Sequence, residues 1–443
     1  MNRSRRKKML KFDVKKEIQL RKVSDIILEE EFYARFEPDQ NLINQYEENI
    51  EAILLNKNGG LIQISENNIL IDGYHRLKAI ERVHGKDYEF DCLVHLTDNT
   101  DYIELESYAA NPKHGKRNSK KEIIRNIQRL YAKGHSQETI MQRLSIAKSI
   151  FYEATKKQRE GDKEELERRA IEMYLRAWNT QKSIANELGV SEGYINKILT
   201  NSTNGKYEDK FWNLSIEDSN YSKCKPFRYN IWNLDKTDKE TSHFGHFPVV
   251  FMENVLLYHT DPLDIIFDPF AGDGITIDAC KSMFRRYYCS DRIVKPGREK
   301  DIKEWDVING LPDDLPKPRL AFLDPPYWKQ AENKYSDSEN DLGNMSLADF
   351  NGAMNKLLDA LKSRKVEYIA VVIRPTQYEN DFVFVDHIFD FHDMIKDQYE
   401  IEMRYILPDS KQQYLPQMVE KAREKNVCLV LNRDLVVWKL DKN

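Results

Sequence analysis

The chain has 443 residues, enough for two or three domains, and 40% of them are hydrophobic while 32% are charged. These proportions, with only 17 Gly and 15 Pro, exclude a wholly disordered, low-complexity or fibrous chain. No apolar run approaches the roughly 20 residues of a membrane span, and no apolar segment of the signal-peptide kind follows the basic N-terminus.

Charge and cysteine usage indicate a partner and a compartment. The net charge is −5, yet residues 111–160 contain 13 Lys and Arg against 4 Asp and Glu, and the first eleven residues hold six basic side chains. Such a local excess predicts contact with nucleic acid, whose phosphates need neutralising, with a solvated charged helix as the alternative. The five cysteines are dispersed without C-x-x-C spacing, which disfavours a disulfide framework or a zinc site and favours a reducing cytoplasm.

Residues 1–110 predict a small α+β domain. IQLRKVSDII is typical of a strand followed by a turn, and NLINQYEENIEAILLN has the spacing of one helix. LIQISENNILIDG predicts a hairpin that turns at residues 66–68, and HRLKAIERVHG predicts a helix that ends at Gly85.

Residues 111–204 predict a helical region built from two similar units. In the second unit, Thr180 is a candidate N-cap, Gly189 makes the turn, and Ser191 caps the next helix, as in a helix-turn-helix. The first unit has Gly134 and Ser136 before a helix but no glycine in its turn, and a plain helical linker remains the alternative for both. The candidate DNA-binding side chains of this region are Lys116, Arg117, Lys120, Lys121, Lys182, Tyr194 and Lys197. Residues 202–224 predict a linker.

From about residue 225 the pattern alternates strands and helices, which predicts an α/β domain to the C-terminus; NVCLVLNRDLVVWKL predicts a terminal hairpin. Residues 265–267 predict a strand that ends at Asp268, followed by a glycine-rich turn, a helix over 275–284 and a second strand that ends at Asp291. Glycines in this position let a ligand approach the backbone, and Asp291 follows at the offset typical of a ribose-binding carboxylate. The spacing is not G-x-G-x-x-G, so a cationic ligand fits better than a pyrophosphate.

A second motif, Asp324-Pro325-Pro326-Tyr327, follows the apolar strand predicted over 320–323. The prolines cannot continue a ladder, so they hold a carboxylate and a carbonyl as fixed acceptors at the edge of the sheet. Two acceptors and an aromatic ring suit the amino group of a planar base. The alternative is a proline-rich turn in which Tyr327 only packs.

Together, DPFAGDG and DPPY resemble the cofactor and catalytic motifs of the amino-methylating DNA methyltransferases, over about residues 227–439. The resemblance implies a Rossmann-like domain over 225–443, S-adenosylmethionine as cofactor and no metal. It implies a catalytic tetrad of Asp324, Pro325, Pro326 and Tyr327. The cofactor-binding residues it implies are Asp268, Pro269, Phe270, Gly272, Asp273, Gly274, Asp291 and Asp306.

The resemblance also implies the mechanism. The target base is flipped out of the duplex, Asp324 and the Pro325 carbonyl accept hydrogen bonds from its amino group, and Tyr327 stacks on it, with Trp328 as a second aromatic. Asp at the first position of the motif favours adenine N6, and cytosine N4 remains open. Two other readings also remain: a DNA-binding regulator with an inactive methylase domain, and methylation of RNA or of a protein glutamine.

In the N-terminal domain, Asp72-Gly73-Tyr74-His75-Arg76 resembles the phosphate-binding box of the ParB and sulfiredoxin superfamily. Tyr74 replaces the reactive cysteine of sulfiredoxins, which excludes their redox chemistry. The resemblance implies Gly73, His75 and Arg76 as possible phosphate-binding residues and a nucleotide as a possible ligand; the alternative is that they hold their own domain together. The expected setting is a bacterial or phage-encoded cytoplasmic protein at the nucleoid, which binds double-stranded DNA in restriction-modification. A homodimer is a further expectation.

Overall fold

The structure is a computed structural model that describes residues 13–33, 37–55, 60–110, 118–204, 226–234, 247–329, 341–378, 382–408 and 415–441. Its contacts divide the chain into two compact units, residues 1–166 and 167–443. No helix in the described part is long and apolar enough to cross a membrane.

The first unit contains a four-stranded sheet in the order β1-β4-β2-β3. Its strands are β1 (Lys16–Lys22), β2 (Ile62–Ser65), β3 (Leu70–Asp72) and β4 (Glu89–His95). Strands β2 and β3 pair antiparallel, so the predicted hairpin is confirmed, and β2 runs parallel to β4. The sheet buries its apolar face against α1 (Gln40–Glu48), α2 (Ile50–Leu54) and α3 (Tyr74–His84).

Two helix boundaries in this domain follow from single residues. Gly85 has φ +86 and ends α3, as predicted. The segment predicted as one helix is two, because Asn49, at φ −117 and ψ 31, leaves the helical conformation between α1 and α2.

The helices that follow are α4 (Thr100–Ala110), α5 (Lys120–Ala132), α6 (Gln137–Leu144) and α7 (Lys148–Leu175). A small core that includes Ile127, Ile140 and Phe151 joins α5, α6 and the start of α7. Ser136 caps α6 as its spacing suggested, and Ser145, at φ +51, makes the turn into α7 without a glycine. The boundary between the two units falls within α7.

The second unit begins with the end of α7 and continues with α8 (Gln181–Leu188) and α9 (Glu192–Asn204). Thr180 accepts from the Ser183 amide, Gly189 is left-handed at φ +68, and Ser191 accepts from the Tyr194 amide. These contacts confirm the predicted caps and turn. Helix α9 extends into the predicted linker, of which residues 205–225 lie outside the described part.

The sheet of the second unit has seven strands in the order β12-β13-β9-β8-β5-β6-β7. They are β5 (Ile265–Asp268), β6 (Arg286–Asp291), β7 (Ile302–Glu304), β8 (Leu320–Leu323), β9 (Tyr368–Ile373), β12 (Tyr399–Pro408) and β13 (Asn432–Leu440). The five from β5 to β9 are parallel and β13 is antiparallel to both neighbours. Every residue of β8 and β9 is buried, as expected of parallel strands covered on both faces.

The remaining elements cover the two faces of this sheet or extend from it. They are α10 (Val249–His259), α11 (Ile275–Met283), α12 (Leu347–Ser363), α13 (His387–Ile395), α14 (Pro416–Glu424) and the small ribbon of β10 (Thr376–Tyr378) with β11 (Val383–Val385). The C-terminal segment supplies one strand, β13, so the predicted terminal hairpin is wrong: β13 pairs with β9 and with β12, which precedes it by a helix.

Candidate active site

Four neighbouring parallel strands place a carboxylate at the same edge of the sheet. Asp324 directly follows β8, Asp268 ends β5, Asp291 ends β6, and Asp306 lies two residues beyond β7. From β5 the chain adds β6 and β7 on one side, and it then crosses back to add β8 on the other side of β5. The order in which strands are added therefore reverses at β5. Ligands of open α/β sheets bind at such a switch point, outside the carboxyl ends of the strands.

The glycine-rich turn after β5 is tied to the end of β6. The Gly272 amide donates to Oδ2 of Asp291 at 2.8 Å, and the Ala271 amide donates to the Ser290 carbonyl at 3.1 Å. Gly272 has φ +49, and among the described residues a Cβ there would meet only the Phe270 carbonyl, at 3.9 Å. The backbone at Gly272 is therefore open to a ligand.

Gly274 is constrained more tightly. It has φ +83, and a Cβ there would lie 3.0 Å from Nε of Arg298. Arg298 in turn donates to both oxygens of Asp278 on α11, at 2.8 and 2.7 Å. The segment after β6 also pairs Lys295 with Asp273, so it closes over the glycine turn and fixes its shape.

Asp268 lies beneath this turn and is 2% exposed. Its Oδ2 accepts from the Thr276 hydroxyl at 2.5 Å, and its Oδ1 accepts from the Phe270 amide at 2.9 Å. Burial raises the pKa of Asp268 to about 7, against the two hydrogen bonds that lower it. The nearby charges of Asp324 and Asp291 raise the pKa of Asp268 further.

Asp324 and Tyr327 form the second half of the site. Asp324 is half-buried, and desolvation raises its pKa to about 7, although the positive charge of Arg433 and the Tyr327 hydroxyl lower it. Tyr327 is 8% exposed, and burial holds the pKa of its phenol well above the ordinary value. Pro325 is buried and Pro326 half-buried.

Trp328, the residue that follows the motif, is fixed by hydrogen bonds. Trp328 is 3% exposed and donates its indole N–H to the Met345 carbonyl at 2.9 Å. Its own carbonyl accepts from Thr376 at 3.3 Å, and Thr376 is 3.0 Å from Nε2 of His387. Since the rings of Tyr327 and Trp328 are both buried here, their stacking on a base stays a prediction.

The other predicted cofactor residues lie around the same edge. Pro269 is buried, and Phe270 packs against the core that contains Tyr327. Asp306 is half-buried and accepts from the Ile308 amide at 3.0 Å. Burial raises the pKa of Asp291, whose two oxygens accept from the Gly272 and Ile293 amides.

The predicted DNA-binding residues are spread over both units. Lys120 and Lys121 are exposed at the start of α5, and Lys120 pairs with Glu153 at 2.8 Å. In the second unit Lys182 and Lys197 are exposed and Tyr194 is half-buried. Lys116 and Arg117 lie outside the described residues.

The candidate phosphate-binding box makes contacts within its own domain. His75 accepts from the Asp39 amide at 2.9 Å, and Arg76 pairs with Asp72 at 3.0 Å and donates to the Gly60 carbonyl. Both side chains are buried, and Gly73 has φ +105 at the start of α3. The geometry favours the alternative stated for these residues, that they hold the domain together; their binding to phosphate stays a prediction.

Sequence reasoning missed two residues of the site. Thr276 could have been found, since it stands in the first turn of the helix that the glycine turn opens. Arg433 could not, because it is the second residue of β13, a strand that the local pattern assigned to a hairpin and that pairs antiparallel with β9.

Comparison with known proteins identifies a family. A family model described as a DNA methylase matches residues 33–293, more than half of the chain. This span includes the glycine turn, Asp268 and Asp291, and it ends before Asp324. A relative, the type II methyltransferase M.BglII of Bacillus subtilis, is 29% identical over 79 residues, which are 17% of this chain and 20% of that protein. The chain thus spans about a fifth of the length of this relative.

Among solved structures, a precorrin-6y C5,15-methyltransferase from Geobacter metallireducens is 15% identical, with a TM-score of 0.26 over 44% of this chain and 86% of that one. An rRNA methylase from Streptococcus thermophilus is 13% identical, with a TM-score of 0.27 over 45% of this chain and 99% of that one. A Pnob8-like ParB-N domain is 13% identical, with a TM-score of 0.24 over 45% of this chain and 77% of that one. These scores are too low to support an argument, and the architecture rests on the strand order itself.

Proposed function

The chain belongs to the DNA methylase family, and from that premise we propose that it transfers a methyl group from S-adenosylmethionine to the exocyclic amino group of adenine, at N6, in duplex DNA. The observation that carries this proposal is the row of carboxylates along one sheet edge. Asp324 and Asp268 follow neighbouring strands at the switch point, and the glycine-rich turn comes directly after Asp268.

S-adenosylmethionine is the cofactor of this family, and when bound it supplies an electrophilic methyl group on a positively charged sulfur. The residues present fit it. Asp268, Asp291 and Asp324 all have raised pKa values, so a cation nearby would relieve the cost of their negative charge. Each oxygen of Asp291 accepts one amide and keeps room for a hydroxyl donor, and Gly272 leaves open space beside it.

The role of Asp324 follows from its position and its protonation state. As a carboxylate it accepts one hydrogen bond from the amino group of the base, and the Pro325 carbonyl accepts the other. These two bonds orient the nitrogen lone pair, which raises the rate by positioning. The negative charge of Asp324 also stabilises the positive charge that develops on the nitrogen during transfer.

The assignment of adenine rests on Asp, rather than Ser, at the first position of the tetrad. The product therefore has to be identified directly. The experiment is transfer of labelled methyl from S-adenosylmethionine to mixed genomic DNA by the full chain, with the nucleosides separated by mass spectrometry. The variant is Asp324→Ala, and the matched control is Asp313→Ala, which removes an exposed carboxylate of the same domain.

N6-methyladenine that disappears in Asp324→Ala but persists in Asp313→Ala is the expected result. We expect a loss of at least about 10²-fold, typical of removing one preorganised hydrogen-bonding group from an active site. N4-methylcytosine would keep the mechanism and overturn the assignment of the base. No transfer to DNA by a wild-type protein that binds S-adenosylmethionine would overturn the proposal.

A further inference from the structure

One exposed face of helix α7 in the first unit carries a row of cations around a tyrosine. Lys148, Tyr152, Lys156 and Arg159 follow one another at intervals of four, four and three residues, which places them on one side of a helix. Lys148 and Lys156 are exposed, and Tyr152 is 38% exposed. We call these four residues the α7 stripe.

The stripe is ordered by contacts with its own tyrosine. The guanidinium carbon of Arg159 lies 4.3 Å from the centre of the Tyr152 ring, and Nζ of Lys148 lies 5.6 Å from it. The ring positions the guanidinium of Arg159, which is half-buried.

Three acidic side chains adjoin the stripe. Glu153 is about 100° around the helix from Tyr152 and pairs with Lys120 at 2.8 Å. Glu160 lies one turn beyond Lys156, and Asp162, one turn beyond Arg159, accepts from the Tyr131 hydroxyl at 3.3 Å. Behind the stripe, Phe151, Ala154 and Thr155 are buried, and the first two pack in the core with α5 and α6, so the orientation of the stripe is fixed.

The dimensions and charge match duplex DNA. From Lys148 to Arg159 the helix rises about 16 Å, enough to cross a major groove about 12 Å wide. Helix α7 directly follows the turn at Ser145, so it is the second helix of this unit, the position that enters the groove in a helix-turn-helix. Residues 111–160 carry the local excess of positive charge that phosphate contact requires.

We propose that the α7 stripe is a duplex-DNA contact surface in which Lys148, Lys156 and Arg159 bind phosphates on both sides of the groove, with Tyr152 as the platform that positions Arg159. None of these residues is among those that the sequence motifs marked for DNA. The proposal rests on the proposed function in one respect, that the substrate is duplex DNA.

The test is fluorescence anisotropy of the full chain with a labelled duplex of about three helical turns, over a series of KCl concentrations and without S-adenosylmethionine. Lys156→Ala should lower the slope of log K against log salt by about 1, and Lys148→Ala with Lys156→Ala by about 2. The matched control is Lys157→Ala, which removes an exposed lysine about 100° around the same helix. It should leave the slope unchanged.

A second pair of variants tests the platform. Tyr152→Phe keeps the ring and should bind as the wild type does, while Tyr152→Ala should weaken binding by about two- to fivefold. Thermal unfolding of each variant, expected to match the wild type, shows that the fold is kept.

Equal effects of Lys156→Ala and Lys157→Ala, or no change in slope, would overturn the proposal. So would equal competition by an RNA duplex of the same length, since the surface would then take either nucleic acid. Because binding is measured without methyl transfer, the two proposals fail separately. If the wild type binds DNA through the stripe but transfers no methyl group, the α7 stripe proposal stands and the methyltransferase proposal fails. If the stripe variants bind DNA normally and remain active, only the methyltransferase proposal stands.

Discussion

The hydroxyl of Thr276 donates to Oδ2 of Asp268 across 2.5 Å, and this bond joins the first turn of α11 to the end of β5. Both residues are buried, at 0% and 2% exposure. The bond stabilises a carboxylate that has been removed from water, and it fixes the helix that follows the glycine turn. We therefore expect both the fold and the proposed cofactor site to depend on this contact.

Thr276→Val should remove this donor while keeping the shape of the side chain. A buried acceptor that loses its partner costs about 1–3 kcal/mol, so the free energy of unfolding should fall by that amount. Binding of S-adenosylmethionine, measured by calorimetry, should weaken as well. Thr276→Ser restores the hydroxyl and should recover most of both. If valine were tolerated without loss, the bond would contribute nothing to either property.

The pH dependence of stability should reveal the cost of Asp324. Its folded pKa of about 7 lies above the ordinary value of 3.8, so between these pH values the folded chain keeps a proton that the unfolded chain has lost. Stability contributed by this group is thus present at low pH and is lost as pH rises through 7. Asp324→Asn should therefore raise the Tm at pH 8 by a few degrees, each kcal/mol being about 2–4 °C in a domain of this size. The difference should vanish near pH 4, and a difference that is the same at pH 8 and pH 4 would contradict the assignment.

The rate of methyl transfer should depend on the same protonation. The carboxylate form of Asp324 is the stronger acceptor and the form whose negative charge stabilises positive charge on the amino nitrogen, so kcat/KM should fall about tenfold per pH unit below 7. Asp268 titrates in the same range and interacts with Asp324, so the acidic limb of the profile of kcat/KM against pH reports both carboxylates together. The acidic limb of the kcat profile should lie at lower pH, because the positive charge of bound S-adenosylmethionine favours the carboxylate form. A kcat/KM that is flat from pH 6 to 8 would count against Asp324 as the acceptor.

The carboxylate row was predictable because it depends on local pattern plus one general rule. Strands that precede Asp268, Asp291 and Asp324 are short apolar runs, and parallel strands present their carboxyl ends at one edge. The caps at Thr180 and Ser191 were predictable for a similar reason, since a cap needs only its next three residues.

The rest depends on contacts between distant parts of the chain. Arg433 reaches the environment of Asp324 from a strand whose partners, β9 and β12, could not be read from its own sequence. The Asn49 break between α1 and α2 arises because the apolar spacing continues through a residue whose backbone leaves the helix. The burial of the Tyr327 ring depends on side chains from distant parts of the chain that pack with it in one core, and the local sequence does not show these neighbours.

The second helix-turn-helix should be held to the catalytic sheet by Arg286. Its guanidinium donates to the carbonyls of Tyr174, Ala177 and Asn179 at 3.0–3.1 Å, and the Ala177 amide donates back to Tyr287 on β6 at 2.8 Å. Arg286→Ala would leave three carbonyls without this donor, so amide hydrogen exchange should rise across 174–199 and remain unchanged in β8 and β9. Lys303→Ala, which removes a cation 5.0 Å from the neighbouring Trp178 ring, is the milder control. Uniformly raised exchange would show that the domain itself had been destabilised.

The loop over residues 324–328, which carries the proposed catalytic residues, should be positioned by a chain of hydrogen bonds that ends on the Trp328 carbonyl. Nδ1 of His387 has no hydrogen-bond partner within the described residues, and a buried acceptor without a partner costs less than a buried donor, so Nε2 carries the proton and donates to Thr376. The Thr376 hydroxyl can then donate to Trp328, and burial, which lowers the pKa of His387 to about 4, keeps the ring neutral at working pH.

Thr376→Val should therefore lower kcat by about tenfold, as a small misplacement of Asp324 would, while the dissociation constant of S-adenosylmethionine changes little. Thr376→Ser should restore kcat, which a role in packing alone would not explain, because serine lacks the methyl group and keeps the hydroxyl. Below pH 6.5 the unfolded chain takes up a proton that folded His387 refuses, so this histidine's contribution to stability should be lost as pH falls from 6.5 towards 4. Parallel losses of kcat and cofactor affinity in Thr376→Val would show a general disruption of the site and exclude the positioning role.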